Sequence, residues 1–202
     1  MSNPILLVIA GCNGAGKSSF SRLLSADEFD PFDYDIQYLK HYRSLFDSDL
    51  RETIAHNKAF SDLESGIHEA IQLRKNFCYE TNFNSTPLFW PQHFKNNGYE
   101  IQLIFLCLDS VDEAKKRVAI RVANGGHFVP DQEIKNRFFD GYKNLDAHFN
   151  FFDKVDLFDV SGFEKFPQYV LSYEHNKIMT KNNIPDFLLS HISNILSKSK
   201  EL

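Results

Sequence analysis

Short apolar runs alternate with longer segments of helical periodicity along the chain. Strands are predicted at residues 5–10, 77–79, 101–108 and 155–160, and a short strand end at 32–35. Helices are predicted at residues 17–24, 58–74, 86–98, 110–124, from 130 onward and at 184–196, with a frayed end over 198–202. This alternation predicts an α/β protein with a mostly parallel central sheet.

Composition favours one globular domain covering residues 1–202, with residues from about 163 onward as an extension of its core. The chain has 202 residues, 43% of them hydrophobic and 14% aromatic, so it can bury a core without disulfides. A formal charge of −5, from 22 basic and 27 acidic residues, makes nucleic acid an unlikely general partner.

The cysteines and the first residues of the chain indicate the cellular compartment. The scattered Cys12, Cys78 and Cys107 fit reduced thiols better than disulfides or a zinc site. The first cation is Lys17, and the early apolar run at 5–10 is too short to cross a bilayer. We therefore expect a cytoplasmic protein without a membrane partner.

The strongest motif is G-x-x-x-x-G-K-S between the first strand and the first helix. It is spelled by Gly11, Cys12, Asn13, Gly14, Ala15, Gly16, Lys17 and Ser18. In such a loop backbone N–H groups surround phosphate oxygens, the lysine reaches the terminal phosphates and the hydroxyl binds Mg²⁺. The motif predicts binding of ATP with Mg²⁺ through Ser18, with Ser19 as a neighbouring donor. Cys12 is either a small filler residue or a redox switch.

Other nucleotide-binding classes fit less well. GTPases recognise the guanine base with an Asn-Lys-x-Asp element. The most similar stretch of this chain, Asn176–Met179, lacks the aspartate. No signature of an ABC ATPase is found either. A kinase of a small or medium-sized substrate remains.

Two sets of polar residues are predicted at the carboxyl edge of the sheet. Asp35 follows the segment at 32–35 and is our candidate for the acceptor base, with Asp33 as the rival and a helix N-cap as the alternative role. Glu80, Thr81 and Asn82 follow the second strand and suit a sugar or the outer shell of Mg²⁺, or simply begin a loop. Asp109 ends the third strand, where helix capping suits it better.

Arginines flank a glycine pair in the second half of the chain. Arg117 and Arg121 lie four residues apart, hence on one helix face, and Arg137 lies on the next helix. Gly125-Gly126-His127 between the two helices predicts a hinged lid over about 117–137 that brings guanidinium groups to the γ-phosphate. The alternative is an ordinary solvated helix face.

Taken together, these motifs resemble the zeta-toxin-like P-loop kinases. The resemblance rests on the loop, on Glu80-Thr81-Asn82-Phe83, and on the spaced residues from Arg117 to Arg137, and it runs from about 6 to 159. It implies a P-loop NTPase three-layer sandwich, nucleoside-monophosphate-kinase-like, with a helical lid. Residues after 162, and Asp159-Val160-Ser161-Gly162 where relatives often have Asn-Ser, depart from the family pattern.

The resemblance also implies roles. Asp35 matches the acceptor-activating aspartate, Glu80 and Thr81 the substrate-facing strand end, and Arg121 and Arg137 the phosphate clamp, with Arg117 as a third. His127 matches a lid histidine without an assigned role. The family's toxins phosphorylate a hydroxyl of UDP-N-acetylglucosamine, so the implied acceptor is a nucleotide sugar and an implied partner is an antitoxin protein.

Three functions follow as hypotheses. The first is an ATP-dependent kinase of a nucleotide sugar, in which aromatic residues near the cleft contact the base or sugar; the aromatic candidates are Tyr34, Tyr38, Phe83 and Trp90. The second is a nucleotide-gated regulator or toxin–antitoxin component with weak ATPase activity and no soluble acceptor. The third is a nucleic-acid end kinase, which the acidic balance disfavours.

Overall fold

A computed structural model describes residues 3–26, 29–162 and 165–198 of the chain. The strands are β1 (Ile5–Ala10), β2 (Phe77–Thr81), β3 (Glu100–Cys107), β4 (Lys154–Asp159), β5 (Gln168–Glu174) and β6 (Lys177–Lys181). The helices are α1 (Lys17–Leu24), α2 (Tyr34–Ser44), α3 (Arg51–Leu73), α4 (Phe89–Asn96), α5 (Val111–Ala123), α6 (Asp131–His148), α7 (Asp186–Leu189) and α8 (Ser193–Ser197), with a 3₁₀ turn at Phe149–Phe151.

All six strands form one sheet in the order β2-β1-β3-β4-β5-β6. The first four are parallel, and β5 and β6 are added antiparallel. Consecutive residues of β1 and β3 are buried, so helices cover both faces of the sheet. The mixed α/β fold with a mostly parallel sheet is thus confirmed.

The order of the strands positions the site. The chain leaves β1 for β2 on one side and then crosses to β3 on the other. Open α/β sheets bind ligands at such a switch point, outside the carboxyl ends of the strands. The loop Gly11–Gly16 emerges from β1 at this point.

Several sequence-based assignments of elements were wrong. The strand predicted over 32–35 is a single bridge between Phe32 and Tyr79, and α2 begins directly after it. The helix predicted from Thr86 starts at Phe89, with no side-chain cap. The capping box at Ser110 is half formed: its hydroxyl accepts from the amide of Glu113, whose carboxylate binds Arg117.

The C-terminal region differs most from the prediction. Strand β4 is not the last, because a β5–β6 hairpin follows it. The helix expected over 184–196 is two short helices, α7 and α8. Of the frayed end expected over 198–202, residues 199–202 lie outside the described residues.

Among the described helices, none combines the length and the apolar character that crossing a bilayer requires.

Candidate functional site

The glycine-rich loop turns tightly between β1 and α1. Gly14 and Gly16 both adopt φ near +82°, a conformation that disfavours other residues. A Cβ on Gly14 would lie 2.8 Å from the carbonyl oxygen of Ala114. Gly16 caps α1, so the amino-terminal end of this helix opens into the cleft, where it attracts anions.

The side chain of Lys17 folds back onto the loop and donates hydrogen bonds to it. Its ammonium group donates to the carbonyl oxygens of Gly11 at 2.9 Å and Cys12 at 3.3 Å, and to Oδ1 of Asn82 at 2.9 Å. Burial lowers the pKa of the Lys17 ammonium, and nearby Cys12 and Glu80 partly oppose this. The side chain is therefore held at the phosphate loop by neutral oxygens that a phosphate can replace.

Cys12 and Asn13 face inward from the loop. Burial raises the pKa of the Cys12 thiol to about 11, so the reactive thiolate is scarce at neutral pH. This favours the filler role over the redox switch. Asn13 is buried and its Oδ1 accepts from the guanidinium of Arg137 at 3.1 Å.

Two carboxylates meet the hydroxyl of Ser18. Ser18 donates to Asp33 in a short hydrogen bond and lies 3.1 Å from Oε2 of Glu80. Burial and the negative charge of Asp33 raise the pKa of the Glu80 carboxyl. Hydroxyl and carboxylate oxygens are ligands that Mg²⁺ accepts, so this group fits the cation that accompanies ATP.

Asp35 occupies the first turn of α2 and not a strand edge. The N-cap of α2 is Asp33, whose Oδ1 accepts from the amide of Ile36 at 3.1 Å. Asp35 is half-exposed in the cleft, with Oδ2 3.6 Å from Nη1 of Arg121. The two aspartates thus separate into a capping residue beside Ser18 and a residue that faces the lid.

Thr81 ends β2 at the same edge, and Asn82 follows it. The Thr81 hydroxyl accepts from the amide of Phe83 at 3.1 Å, which fixes the start of the next loop. Asn82 holds Lys17, as described above. Asp109 does not line the cleft; it accepts from the hydroxyl of Ser110, the cap of α5.

The predicted turn between two helices is present at the glycine pair, between α5 and α6. Within it, the guanidinium of Arg121 donates to the carbonyl oxygen of His127 at 3.0 Å. A Cβ on Gly126 would lie 2.6 Å from Cγ of Arg121, so this position has no room for a side chain unless Arg121 moves. The turn thereby fixes the path of the arginine towards Asp35.

Aromatic contacts attach this turn to α2 and α3. The His127 and Tyr38 rings meet edge to face with 5.1 Å between their centroids, and Tyr38 stacks on His56 with 4.2 Å between theirs. Tyr38 belongs to a small cluster with Ala55 and Ala59 that is separate from the main core. His127, whose role the sequence left open, therefore joins the α5–α6 turn to the α2–α3 pair.

The other two arginines are held by protein groups. Arg117 donates to Glu113 at 2.7 Å and to the carbonyl oxygens of Val160 at 2.9 Å and Ser161 at 3.0 Å. Arg137 contacts Glu133 as well as Asn13. Both line the cleft, but Arg117 also anchors the chain that leaves β4.

These side chains surround one cleft of about 980 Å³. Gly11, Cys12, Asn13 and Ala15 do not line it. The predicted site residues that do line it are Gly14, Gly16, Lys17, Ser18, Ser19, Asp35, Glu80, Thr81, Asn82, Arg117, Arg121 and Arg137. Sequence analysis missed His56, Phe60 and Phe89 as site residues. Phe60 and Phe89 lie within the helices predicted over 58–74 and 86–98, whereas His56 precedes the first of these, which begins at Arg51 in the structure. Of the four aromatic candidates, Tyr34 and Trp90 line the cleft, and Tyr38 and Phe83 are buried.

Comparison with known proteins gives one family and several related folds. A sequence-family model described as "Zeta toxin" matches residues 1–168. No curated protein sequence matches the chain.

Among solved structures, three illustrate the likeness. A structure of the PezAT chromosomal toxin–antitoxin system of Streptococcus pneumoniae aligns with TM-score 0.66 and 17% identity over 99% of this chain and 88% of that one. A structure of AvrRxo1-ORF1:-ORF2 with ATP aligns with TM-score 0.62 and 11% identity over 97% of this chain and 63% of that one. A Pnkp1/Rnl/Hen1 RNA repair complex aligns with TM-score 0.58 and 22% identity over 73% of this chain, which spans 47% of that one. At such identities these likenesses establish the fold.

Proposed function

Because the chain belongs to the Zeta toxin family of P-loop kinases, we propose that it transfers the γ-phosphate of ATP to a hydroxyl group of a nucleotide sugar, with UDP-N-acetylglucosamine as the first candidate. Its class, that of an ATP-dependent phosphotransferase, follows from family and fold. The acceptor, the metal and the partners are proposals.

The observation that carries the proposal is the convergence of three kinds of group on one cleft. Lys17 and the loop offer donors for phosphates, Asp35 offers a carboxylate for the acceptor hydroxyl, and Arg121 lines the same cleft with its guanidinium next to Asp35. Phosphoryl transfer requires this combination of positioning, a base and positive charge. The structure with ATP of the related AvrRxo1-ORF1:-ORF2 supports ATP as the donor.

Each residue has a distinct proposed task. Asp35 accepts the proton of the acceptor hydroxyl as that oxygen bonds to the γ-phosphorus and the bond to the leaving ADP oxygen breaks. Arg121 and Arg137 neutralise charge on the moving phosphoryl group, which requires that Arg121 release Asp35. Ser18, with Glu80 and Asp33 beside it, would hold Mg²⁺, which would offset the charge of the phosphates.

Partners are proposed from the same evidence. The related PezAT structure comes from a toxin–antitoxin system, so an antitoxin protein is a candidate partner of this chain. Location in the cytoplasm suits both ATP and a nucleotide-sugar acceptor.

A metabolite screen tests the acceptor. The protein is incubated with ATP, Mg²⁺ and a bacterial metabolite extract, and mass spectrometry identifies any species that gains one phosphate. We expect a phosphorylated UDP-sugar with the wild-type protein and none with Asp35→Asn. Phosphate transferred only to RNA ends would contradict the proposal of a nucleotide-sugar acceptor and favour a nucleic-acid end kinase. Slow ATP hydrolysis without any phosphorylated product would favour the nucleotide-gated regulator.

A further inference from the structure

Two arginines of the cleft are held by glutamates of their own helices. Arg117 lies four residues after Glu113 on α5, and Arg137 lies four residues after Glu133 on α6. A spacing of four residues places both members of each pair on one helix face, and each guanidinium contacts its glutamate. Arg121 differs from both, because the residue four positions before it is Arg117 and not an acid.

Arg137 is restrained from two sides. Its Nη1 donates to Oδ1 of Asn13 at 3.1 Å, and its Nη2 donates to Oε1 of Glu133. Asn13 is 2% exposed and belongs to the loop between β1 and α1, so it is a firm attachment point. One contact on each terminal nitrogen fixes the plane of the guanidinium and uses two of its five N–H donors. Arg137, which lines the cleft, can therefore bind phosphate oxygens while both contacts persist.

Arg121 is placed for a different task. Its Nη2 donates to the carbonyl oxygen of His127, and its Nη1 lies 3.6 Å from Asp35. Among the described residues, no hydrogen-bond partner reaches its buried Nε. The proposed reaction requires Arg121 to leave Asp35, whereas Arg137 already lies against the phosphate loop. One arginine of the proposed clamp thus moves and the other is fixed in advance.

A fixed arginine is useful in phosphoryl transfer. The reaction depends on positioned charge around the oxygens of the moving group. A long arginine side chain has considerable rotamer freedom, and ordering it in the transition state would slow the reaction. Contacts that order it when the protein folds remove that cost from the reaction step. Glu133 does not line the cleft, so it can act on bound phosphates only through Arg137.

We infer that Glu133 is a positioning residue, which holds Arg137 against the phosphate loop so that its guanidinium meets the transferring phosphoryl group. The inference rests on the proposed role of Arg137 in the phosphate clamp, but it is independent of which acceptor the protein uses.

The test uses ADP–Mg²⁺ with aluminium fluoride, a mimic of the transferring phosphoryl group that requires no nucleotide sugar. Calorimetry with the full-length protein measures the affinity for this analogue and, separately, for ADP–Mg²⁺ alone. Glu133→Ala should weaken analogue binding about 10- to 100-fold, because displacement of a reacting group by about 1 Å can cost 10²-fold. It should leave the affinity for ADP–Mg²⁺ unchanged, since ADP lacks the phosphoryl group that Arg137 contacts.

Asp131→Ala is the matched control. Asp131 is the other acid in the first turn of α6, where it contacts Lys115 at 3.0 Å, and it does not line the cleft. Its removal has a similar effect on the helix but leaves Arg137 in place. Both affinities should therefore equal those of the wild type.

A double-mutant cycle separates positioning from a structural role. Arg137→Ala should itself weaken analogue binding, and Glu133→Ala should then cause no further loss, because its effect passes through Arg137. Equal analogue affinity in Glu133→Ala and the wild type would overturn the inference. So would the same loss in both backgrounds, or a wild-type protein that binds the analogue no more tightly than ADP–Mg²⁺.

These outcomes are separable from the proposed function. Absence of a phosphorylated nucleotide sugar in the metabolite screen would refute the proposed acceptor but would leave the expected analogue affinities unchanged. Equal analogue affinity in Arg137→Ala and the wild type would instead refute the phosphate clamp, and with it the role of Glu133.

Discussion

Replacement of Lys17 by methionine separates its role in nucleotide binding from its role in the fold. The ammonium group is partly buried at the wall of the cleft and donates three hydrogen bonds, to two carbonyl oxygens and to Asn82. Methionine keeps most of the length and apolar volume of the side chain but removes the charge and all three donors. Stability and ATP affinity should then respond very differently.

The effect on stability is a difference of two large contributions. An acceptor left without a donor costs about 1–3 kcal/mol when it is fully buried, so the three partly buried acceptors together cost at most about 3–9 kcal/mol. Removing the partly buried ammonium ion also removes its desolvation penalty, which is several kcal/mol and therefore similar in size to the cost of the lost hydrogen bonds. We therefore expect the free energy of unfolding of Lys17→Met to lie within about 2 kcal/mol of the wild type.

The effect on ATP–Mg²⁺ affinity has no such offset. A hydrogen bond to a charged group contributes about 1.5–3 kcal/mol, which corresponds to roughly 10- to 150-fold in the dissociation constant. Calorimetric titration with ATP–Mg²⁺, together with denaturant unfolding of the same preparations, measures both quantities. Lys58→Met, an exposed lysine on α3 outside the cleft, is the control and should match the wild type in both. Equal ATP–Mg²⁺ affinity for Lys17→Met and the wild type would refute the assignment of the phosphate loop.

Four further substitutions test the other groups. Asp35→Asn should lower transfer by roughly 10²–10⁴-fold with little change in ATP affinity. Asp33→Asn should instead weaken ATP–Mg²⁺ binding, because Asp33 lies at the proposed Mg²⁺ group, while asparagine still caps the helix. Loss of transfer at saturating ATP–Mg²⁺ in Asp33→Asn but not in Asp35→Asn would make Asp33 the base. Because burial and Asp33 raise the pKa of the Glu80 carboxyl, the folded protein holds this proton more tightly than the unfolded chain does. The free energy of unfolding should therefore fall as pH rises through that raised pKa. Glu80→Gln should remove this decline in denaturant unfolding, and an unchanged pH profile in the variant would contradict the expectation. Arg121→Ala should lower turnover roughly 10²–10³-fold and ATP affinity much less. Amide hydrogen exchange over Gly125–Val129 should slow when nucleotide and acceptor bind together. An exchange rate that neither ligand changes would count against a mobile lid.

The elements predictable from sequence were those with a strong local signal. An unbroken apolar strand followed by the glycine-lysine motif located the loop between β1 and α1, and the glycine pair located the turn between α5 and α6. The segment at 32–35 has only two aromatic and two acidic residues, which fit a strand end and a helix start equally well. Its pairing with Tyr79 is limited to one bridge, so the capping carboxylate of Asp33 decides that a helix begins there.

The C-terminal hairpin was missed for a different reason. Its turn is His175-Asn176, with φ of 50° and 64°, so it has the backbone of a tight hairpin turn without the usual glycine. The predicted helix over 184–196 is interrupted at Ser190–Ile192 between two short helices. The lid contacts of His127 also required the structure, because Tyr38 and His56 are distant from it in the chain.

Phosphorus NMR of one reaction mixture tests the central claim most directly. Purified protein, ATP, Mg²⁺ and UDP-N-acetylglucosamine are combined, and the fate of the γ-phosphate is followed. The account predicts a new phosphomonoester signal on the sugar nucleotide that grows in step with ADP and is absent with Asp35→Asn. Conversion of ATP to ADP and inorganic phosphate alone, at the same rate with and without the sugar nucleotide, would contradict it.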